Sequence, residues 1–213
     1  MAIFKKKNFR MFTGLIGPMI VSTWKGIMYA RAKPRKSLVK KEGTEGQTAA
    51  RGKFRYLHQF LRPFHSYLTI GFSGKAVNKT EINAAFTANY HRAVMGVYPD
   101  FSIDYSRLLL STGKLAGMFA PLLSCSVDGL IEVTWKADPG QRGNYNDHLL
   151  LVLYSELHKG TDGFIGHAQR RDHHCNFPIL KEMQKGRIHV YVSFTSQNRR
   201  LTSDSQYLGV LEF

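Results

Sequence analysis

From residue 19 to residue 33 the chain alternates. Ile20, Ser22, Trp24, Met28 and Ala30 fall on one side, and Val21, Thr23, Lys25, Ile27, Tyr29, Arg31 and Lys33 on the other. A period of two is the signature of a strand. The pattern predicts a strand with one face for packing and a second that carries Lys25, Arg31 and Lys33 outward. Pro34 ends it or confines it to an edge. Residues 35–53 are polar and glycine-containing, and read as a linker. From about Gln47 to Phe64 the spacing becomes helical. Phe54, Leu57, Phe60, Leu61 and Phe64 form the apolar stripe, Arg51, Arg55 and Arg62 lie around it, and Pro63 ends or kinks the helix. A second helix is predicted over NKTEINAAFTANYHRAVMG, with Asn78 as N-cap and Glu81 completing a capping box. Its apolar side (Ile82, Ala85, Phe86, Ala93, Val94) is interrupted by the polar Asn89, and Gly96 fits a stop. VYPDFSIDYSRLLLS then alternates and reads as a strand.

From about residue 120 the chain is a series of short β-rich runs, among them LIEVTWKAD, HLLLVLYS, RIHVYVSF and SQYLGVLEF. Turn signals such as Asp128-Gly129, Pro139-Gly140 and Lys185-Gly186 separate them. Such a series with a mid-strand Trp135 predicts an antiparallel immunoglobulin-like or fibronectin-like β-sandwich. The expected fold class is therefore α+β: an N-terminal basic β-ribbon plus two helices over 1–118, and the sandwich over 119–213. The two cysteines, Cys125 and Cys175, are not a disulfide framework, and two reduced buried thiols are expected.

Charge changes this picture. The 213 residues carry a formal net charge of +15, which favours acidic partners. It is unevenly placed: residues 1–62 hold 15 Lys and Arg against Glu42 and Glu45, while the remainder holds 15 against 13 acids. An anion-binding role therefore belongs to the N-terminal third, where block charge marks an interaction tail. KKKNFRMFTGLIGPMIVS imitates a signal peptide, but Gly14, Gly17 and Pro18 break it and Trp24-Lys25 follows where a small-residue cleavage site would stand. No apolar run approaches the ~18 residues of a membrane span. The expected location is cytoplasmic, or released as part of a particle.

Candidate chemistry is sparse. His173-His174-Cys175, with His167 nearby, would let His173 and Cys175 share one side of a strand, but the paired spacing of a zinc site is absent and packed strand residues are the expectation. No G-x-S-x-G elbow, Walker loop or dinucleotide fingerprint occurs. Neither an enzyme nor a cofactor is expected. The N-terminal third has better chemistry for nucleic acid. Lys25, Arg31, Lys33, Arg35 and Lys36 are candidates for phosphate contact, and Trp24 and Tyr29 for stacking on bases. Trp24 falls on the more apolar face, which argues for a core role instead. The expected function is non-enzymatic binding of nucleic acid or another polyanion without strong sequence specificity. The alternative is a self-assembling structural protein of a phage-like particle or filament, a homo-oligomer whose N-terminal strand pairs with a neighbour's sheet edge. A third reading sets Lys5, Lys6 and Lys7 with Phe4, Phe9 and Phe12 on an anionic membrane surface.

The segments TGLIGP, STWKGIMYARAKP, ARGKFRYLHQFLRPF, LTIGF, NAAFTANYHRAV, YPDFSIDYSRLLLSTGKLAG and the β-rich end VTWKADPG…LLVLYS…YLG together resemble a family of basic Bacteroidota proteins of about this length, known as a domain of unknown function. The W-K-G…R…K-P and Y-P-D-F…I-D-Y-S blocks are the most specific. The resemblance implies a common architecture and a recurrently basic N-terminal part, and it supplies no catalytic residue.

Overall fold

The computed structural model describes residues 2–3, 13–24, 26–35, 42–126, 129–140 and 143–213. The chain is mixed α+β with several antiparallel sheets. Contacts divide it into two units, residues 1–43 and 44–213. Residues 118 and 119, between which the sequence suggested a boundary, both fall in the second unit. Among the described residues no helix is long and apolar enough to cross a membrane.

The described residues of the first unit form a four-stranded antiparallel sheet. Strands β1 (Ala2–Ile3), β2 (Gly14–Ile16), β3 (Met19–Trp24) and β4 (Ile27–Ala32) lie in the order β1-β4-β3-β2. The single strand predicted over 19–33 is thus a hairpin. Trp24 pairs with Ile27, and Gly26 between them has φ of +77°, a left-handed conformation that a tight hairpin turn requires and glycine adopts without strain.

The second unit opens with helices. Helix α1 (Glu45–Leu61) starts just ahead of the predicted Gln47, because the Thr44 hydroxyl accepts from the Gln47 amide at 3.4 Å. Pro63 does not end the helical path. A tight turn over Arg62–Phe64 carries the chain into α2 (His65–Gly71), with the proline in a first turn where its missing N–H leaves no bond unmade. Helix α3 (Glu81–Asn89) is capped by Thr80, whose hydroxyl accepts from the Asn83 amide at 3.2 Å. The predicted cap, Asn78, instead has a φ of 55°. The helix also stops before Ala93 and Val94. These lie at the start of a hairpin of β5 (Val94–Val97) and β6 (Asp100–Ile103), where Gly96 sits within β5, yet both still reach the helices' apolar cluster.

Seven strands follow: β7 (Phe119–Cys125), β8 (Leu130–Lys136), β9 (His148–Ser155), β10 (Gly160–Gln169), β11 (His174–Pro178), β12 (Arg187–Thr195) and β13 (Gln206–Glu212). They form one sheet of order β10-β9-β12-β13 and another of order β11-β8-β7. Alternate residues of the central pair go to different cores. Leu149, Leu151 and Leu153 of β9, with Ile188, Val190, Val192 and Phe194 of β12, join Ile131, Val133 and Trp135 of β8. Leu150, Val152 and Tyr154, with Tyr191, join Leu57, Leu61 and Phe64 from the helices. The four-stranded sheet is thus a middle layer, and a strand buried on both faces reads as an unbroken apolar run, as HLLLVLYS does.

Polar side chains fasten the irregular stretches to these layers. Asn89 is fully buried. Its amide donates to the carbonyls of Ala85 (2.9 Å) and Leu109 (2.8 Å), and its oxygen accepts from the Leu109 N–H at 2.8 Å. The interruption in the apolar side of α3 is therefore a clamp on the extended segment that delivers Leu108 and Leu110 to the helical core. Gly71 lets that segment approach, since a side chain there would strike the Leu110 carbonyl and Ser111. Elsewhere Arg170 and Asp147 form a buried ion pair at 3.2 Å. The guanidinium also donates to the carbonyls of Gly117 (3.1 Å) and Ala116 (2.6 Å) and lies 4.0 Å over the Phe194 ring. Burial lowers its pKa and Asp147 opposes the shift. Both cysteines are free; Cys175 is buried and Cys125 half-buried. Burial first, then Asp172, pushes the Cys175 thiol up to about 11.

Two predictions follow from the second unit's interior. Asn89→Leu keeps the branching and the number of side-chain heavy atoms but leaves the Leu109 N–H and C=O unpaired, so unfolding free energy in urea should drop by about 2–4 kcal/mol; a neutral result would mean the clamp contributes nothing. The second concerns His189, whose Nε2 lies 2.6 Å from Glu156 Oε1, whose Nδ1 lies 2.9 Å from the Tyr207 hydroxyl, and whose ring stacks on Tyr105 at 3.8 Å. Burial holds its pKa below the ordinary 6.5 against the opposing effect of Glu156, and burial also lowers His65. On acidification the unfolded chain therefore takes up these protons first. Stability is fully present above about pH 6.5 and declines below it, and His189→Gln should flatten that decline in urea titrations across the interval.

Candidate nucleic-acid interface

The hairpin register decides which side chains of the first unit act together. Directly opposed residues of an antiparallel pair share a face. Leu15 opposes Ile20, and Ile20 opposes Arg31, Ser22 opposes Tyr29 and Trp24 opposes Ile27. The other face holds Met19 with Ala32, Val21 with Ala30, and Thr23 with Met28. Val21 and Ala30 are buried, at 8% and 7% exposure, so this second face is the packed one.

The first face is the more exposed one. Trp24 is 38% exposed, Ile27 and Arg31 are exposed, and Tyr29 is half-buried. Steps of two residues are about 7 Å along a strand, so Ile27, Tyr29 and Arg31 succeed one another at that spacing with Trp24 across from Ile27. The face offers two rings beside a guanidinium, the pairing that takes bases by stacking and phosphates by charge. Lys33 and Arg35 continue from β4 and are exposed. The Lys33 N–H donates to the Pro18 carbonyl at 2.8 Å, which extends the pairing past Ala32 and holds Lys33 beside the sheet. Lys25 and Lys36, the two remaining candidates, lie outside the described residues.

This arrangement corrects one sequence expectation. A period of two carried unbroken from 19 to 33 sets Trp24 opposite Tyr29 and Arg31. The two-residue turn reverses the parity of β4 relative to β3, so all three come to the same face. Leu15 and Ile27 join them, and neither was a candidate. The signal for them was present in Gly17-Pro18 and in Lys25-Gly26, dipeptides that punctuate strands.

The histidine run is also placed. His173 sits at φ 58°, after the turn over Arg170–Asp172 and outside β11. The strand geometry that would set it beside Cys175 does not extend to it. Cys175 turns into the core, and the His174 Nδ1 lies 2.8 Å from the Asp172 carbonyl. Among the described residues no three His, Cys, Asp or Glu side chains converge as a metal site.

The chain belongs to the family of unknown function DUF6266, which it matches over residues 11–209. Comparison with curated proteins found no match.

The hairpin register has a direct test. Ser22→Cys with Tyr29→Cys places two thiols on directly opposed positions, where Cβ atoms stand about 5 Å apart. Mild oxidation should join them, as read by peptide mass spectrometry. In a continuous strand the same positions would be about 23 Å apart, and no such bridge would form.

Proposed function

We propose that the protein binds nucleic acid or another polyanion, without strong sequence specificity, through the hairpin of its basic first unit. The observation that carries this reading is the face that Trp24, Tyr29 and Arg31 share. Arg31, Lys33 and Arg35, and the flanking Lys25 and Lys36, would neutralise phosphates and release counterions, while the two rings stack on exposed bases. No motif for reading base edges accompanies them, so affinity would rest on charge and stacking. The reading is of a binding protein and not an enzyme, working in the cytoplasm or within a particle.

A second reading is favoured by a different observation. Strand β2 lies at the rim of its sheet, and Leu15 and Ile16 on it are exposed. An apolar rim strand offers unpaired main-chain groups to another strand, which supports self-assembly with further copies as a structural protein. We also read the seven C-terminal strands as a fibronectin-like sandwich. Their two sheets, of strands one, two and five and of strands three, four, six and seven, support that assignment, which by itself implies no activity.

Titration of an oligonucleotide across a salt series, with the full chain and with a chain lacking residues 1–43, separates the readings. Under the first, the full chain binds with a steep salt slope and the shortened one loses most of it. Trp24→Ala should weaken binding by roughly ten-fold without changing the slope. Absence of binding at low salt, together with oligomers that persist in high salt and after nuclease, would move the conclusion to self-assembly.

A further inference from the structure

The second unit carries basic and aromatic groups of its own. A groove of about 840 Å³ runs along α1. Arg51, Arg55, His58 and Arg62 line it at intervals of four, three and four residues, the spacing of one helix face. At 1.5 Å per residue that row is about 16 Å long. Phe54 and Tyr90 also line it.

Three features distinguish this groove from an ordinary solvated helix face. Phe54 is 53% exposed, although it is an apolar ring in the midst of cations. Phe86 supports both rings, at 4.6 Å from Phe54 and 5.5 Å from Tyr90. Among the described residues no carboxylate forms an ion pair with Arg51, Arg55 or Arg62. The local field is correspondingly positive: after burial, His58 and Arg62 are the causes that lower the pKa of His65. Like charges gathered without counter-charge repel one another, and an anion in the groove relieves that repulsion.

We propose that the α1 groove is a second, separate binding site that takes a segment of single-stranded nucleic acid, with phosphates on Arg51, Arg55 and Arg62 and a base against the open face of Phe54. Guanidinium forks match phosphate oxygens, and an aromatic face accepts any base. The length of the row favours a strand over a single nucleotide, and its open form lets a strand enter from the side. A double helix keeps its bases stacked inside and offers Phe54 no ring. The site does not depend on the hairpin, and either can exist without the other.

The test measures anisotropy of a labelled oligo-deoxythymidine of about 12 nucleotides, within the ~4–16 that such sites cover, against the full chain and three full-length variants. Arg55→Gln with Arg62→Gln removes two phosphate contacts, and the slope of log affinity against log salt should fall by about 1.4, at ~0.7 per phosphate on single strands. Phe54→Leu keeps an apolar side chain without the ring, and should weaken binding by roughly ten-fold with the slope unchanged. The third, Trp24→Ala with Arg31→Gln, alters only the hairpin. Circular dichroism checks that each variant is folded; Arg55 and Arg62 are surface residues, so the double variant keeps the test usable should Phe54→Leu disturb Phe86. Loss confined to the groove variants supports this site and removes the hairpin reading. Loss confined to the hairpin variant does the reverse. Weakening by the arginine pair with an unchanged Phe54→Leu would reduce the groove to a generic polyanion surface and overturn the proposal. No binding by the parent chain at low salt removes both sites.

Discussion

The second unit depends on a strand pair, β9 and β12, that is buried on both faces. Leu151 and Leu153 belong to one core while Leu150 and Val152 belong to the other. Each fully buried aliphatic side chain contributes about 1.5–3 kcal/mol, so the pair feeds two apolar clusters at once and binds them into one body. A run such as Leu-Leu-Leu-Val-Leu is nearly the same on either face, and a slip of one residue would exchange the two sets. Register must come from residues that are not interchangeable. Tyr154 stacks at 5.1 Å on Phe64 and lies 5.3 Å from Phe60. The Tyr191 hydroxyl donates to the Tyr105 carbonyl at 2.8 Å. On the opposite face Phe194 meets Trp135 edge-on at 5.9 Å. Aromatic residues with one acceptable side thus orient aliphatic ones with two.

Around this middle layer, segments without a regular ladder are fixed by side chains. Between β6 and β7 the chain is held by Asn89 at Leu109, by the Ser205 hydroxyl, which accepts from the Leu110 N–H at 2.9 Å, and by Arg170 at Ala116 and Gly117. Buried backbone groups need partners, and here side chains from a helix, a loop and a turn supply them. Arg170 is the costliest of these devices. Its charge is acceptable in the interior because Asp147 balances it and three further groups, two carbonyls and the Phe194 ring, occupy its remaining faces. Removing either partner would leave the other buried and uncompensated.

The sequence made the class of structure legible where one rule acted alone. The apolar stripe of α1, the β-rich texture after residue 120 and the buried character of Trp135 follow from period and residue type. It misled where two rules competed. Asn78 and Thr80 are both good caps ahead of Glu81, and only the backbone shows that Asn78 takes a left-handed turn while Thr80 meets the Asn83 amide. Ala93 and Val94 match a helical face by spacing, yet reach the same core by way of a turn and a strand. Trp24, Tyr29 and Arg31 were chosen for their chemistry, but their common face depends on a turn of two residues that a period of two conceals. The α1 arginines were visible as flanks of the stripe. Their convergence with Phe54 and Tyr90 was not, because Tyr90 comes from another helix end and no local pattern joins 54 to 90.

The chain holds two tryptophans, and each unit has one. Trp135 is 5% exposed, its indole N–H donating to the Arg170 carbonyl at 2.9 Å, while Trp24 is 38% exposed. Their emission is therefore separable without any label. Trp24 should glow at longer wavelength and be quenched readily by small solutes, whereas Trp135 should stay blue-shifted and protected until its unit unfolds. The intrinsic fluorescence of the unmodified protein thus contains one channel that watches the hairpin and a second that serves as its internal reference.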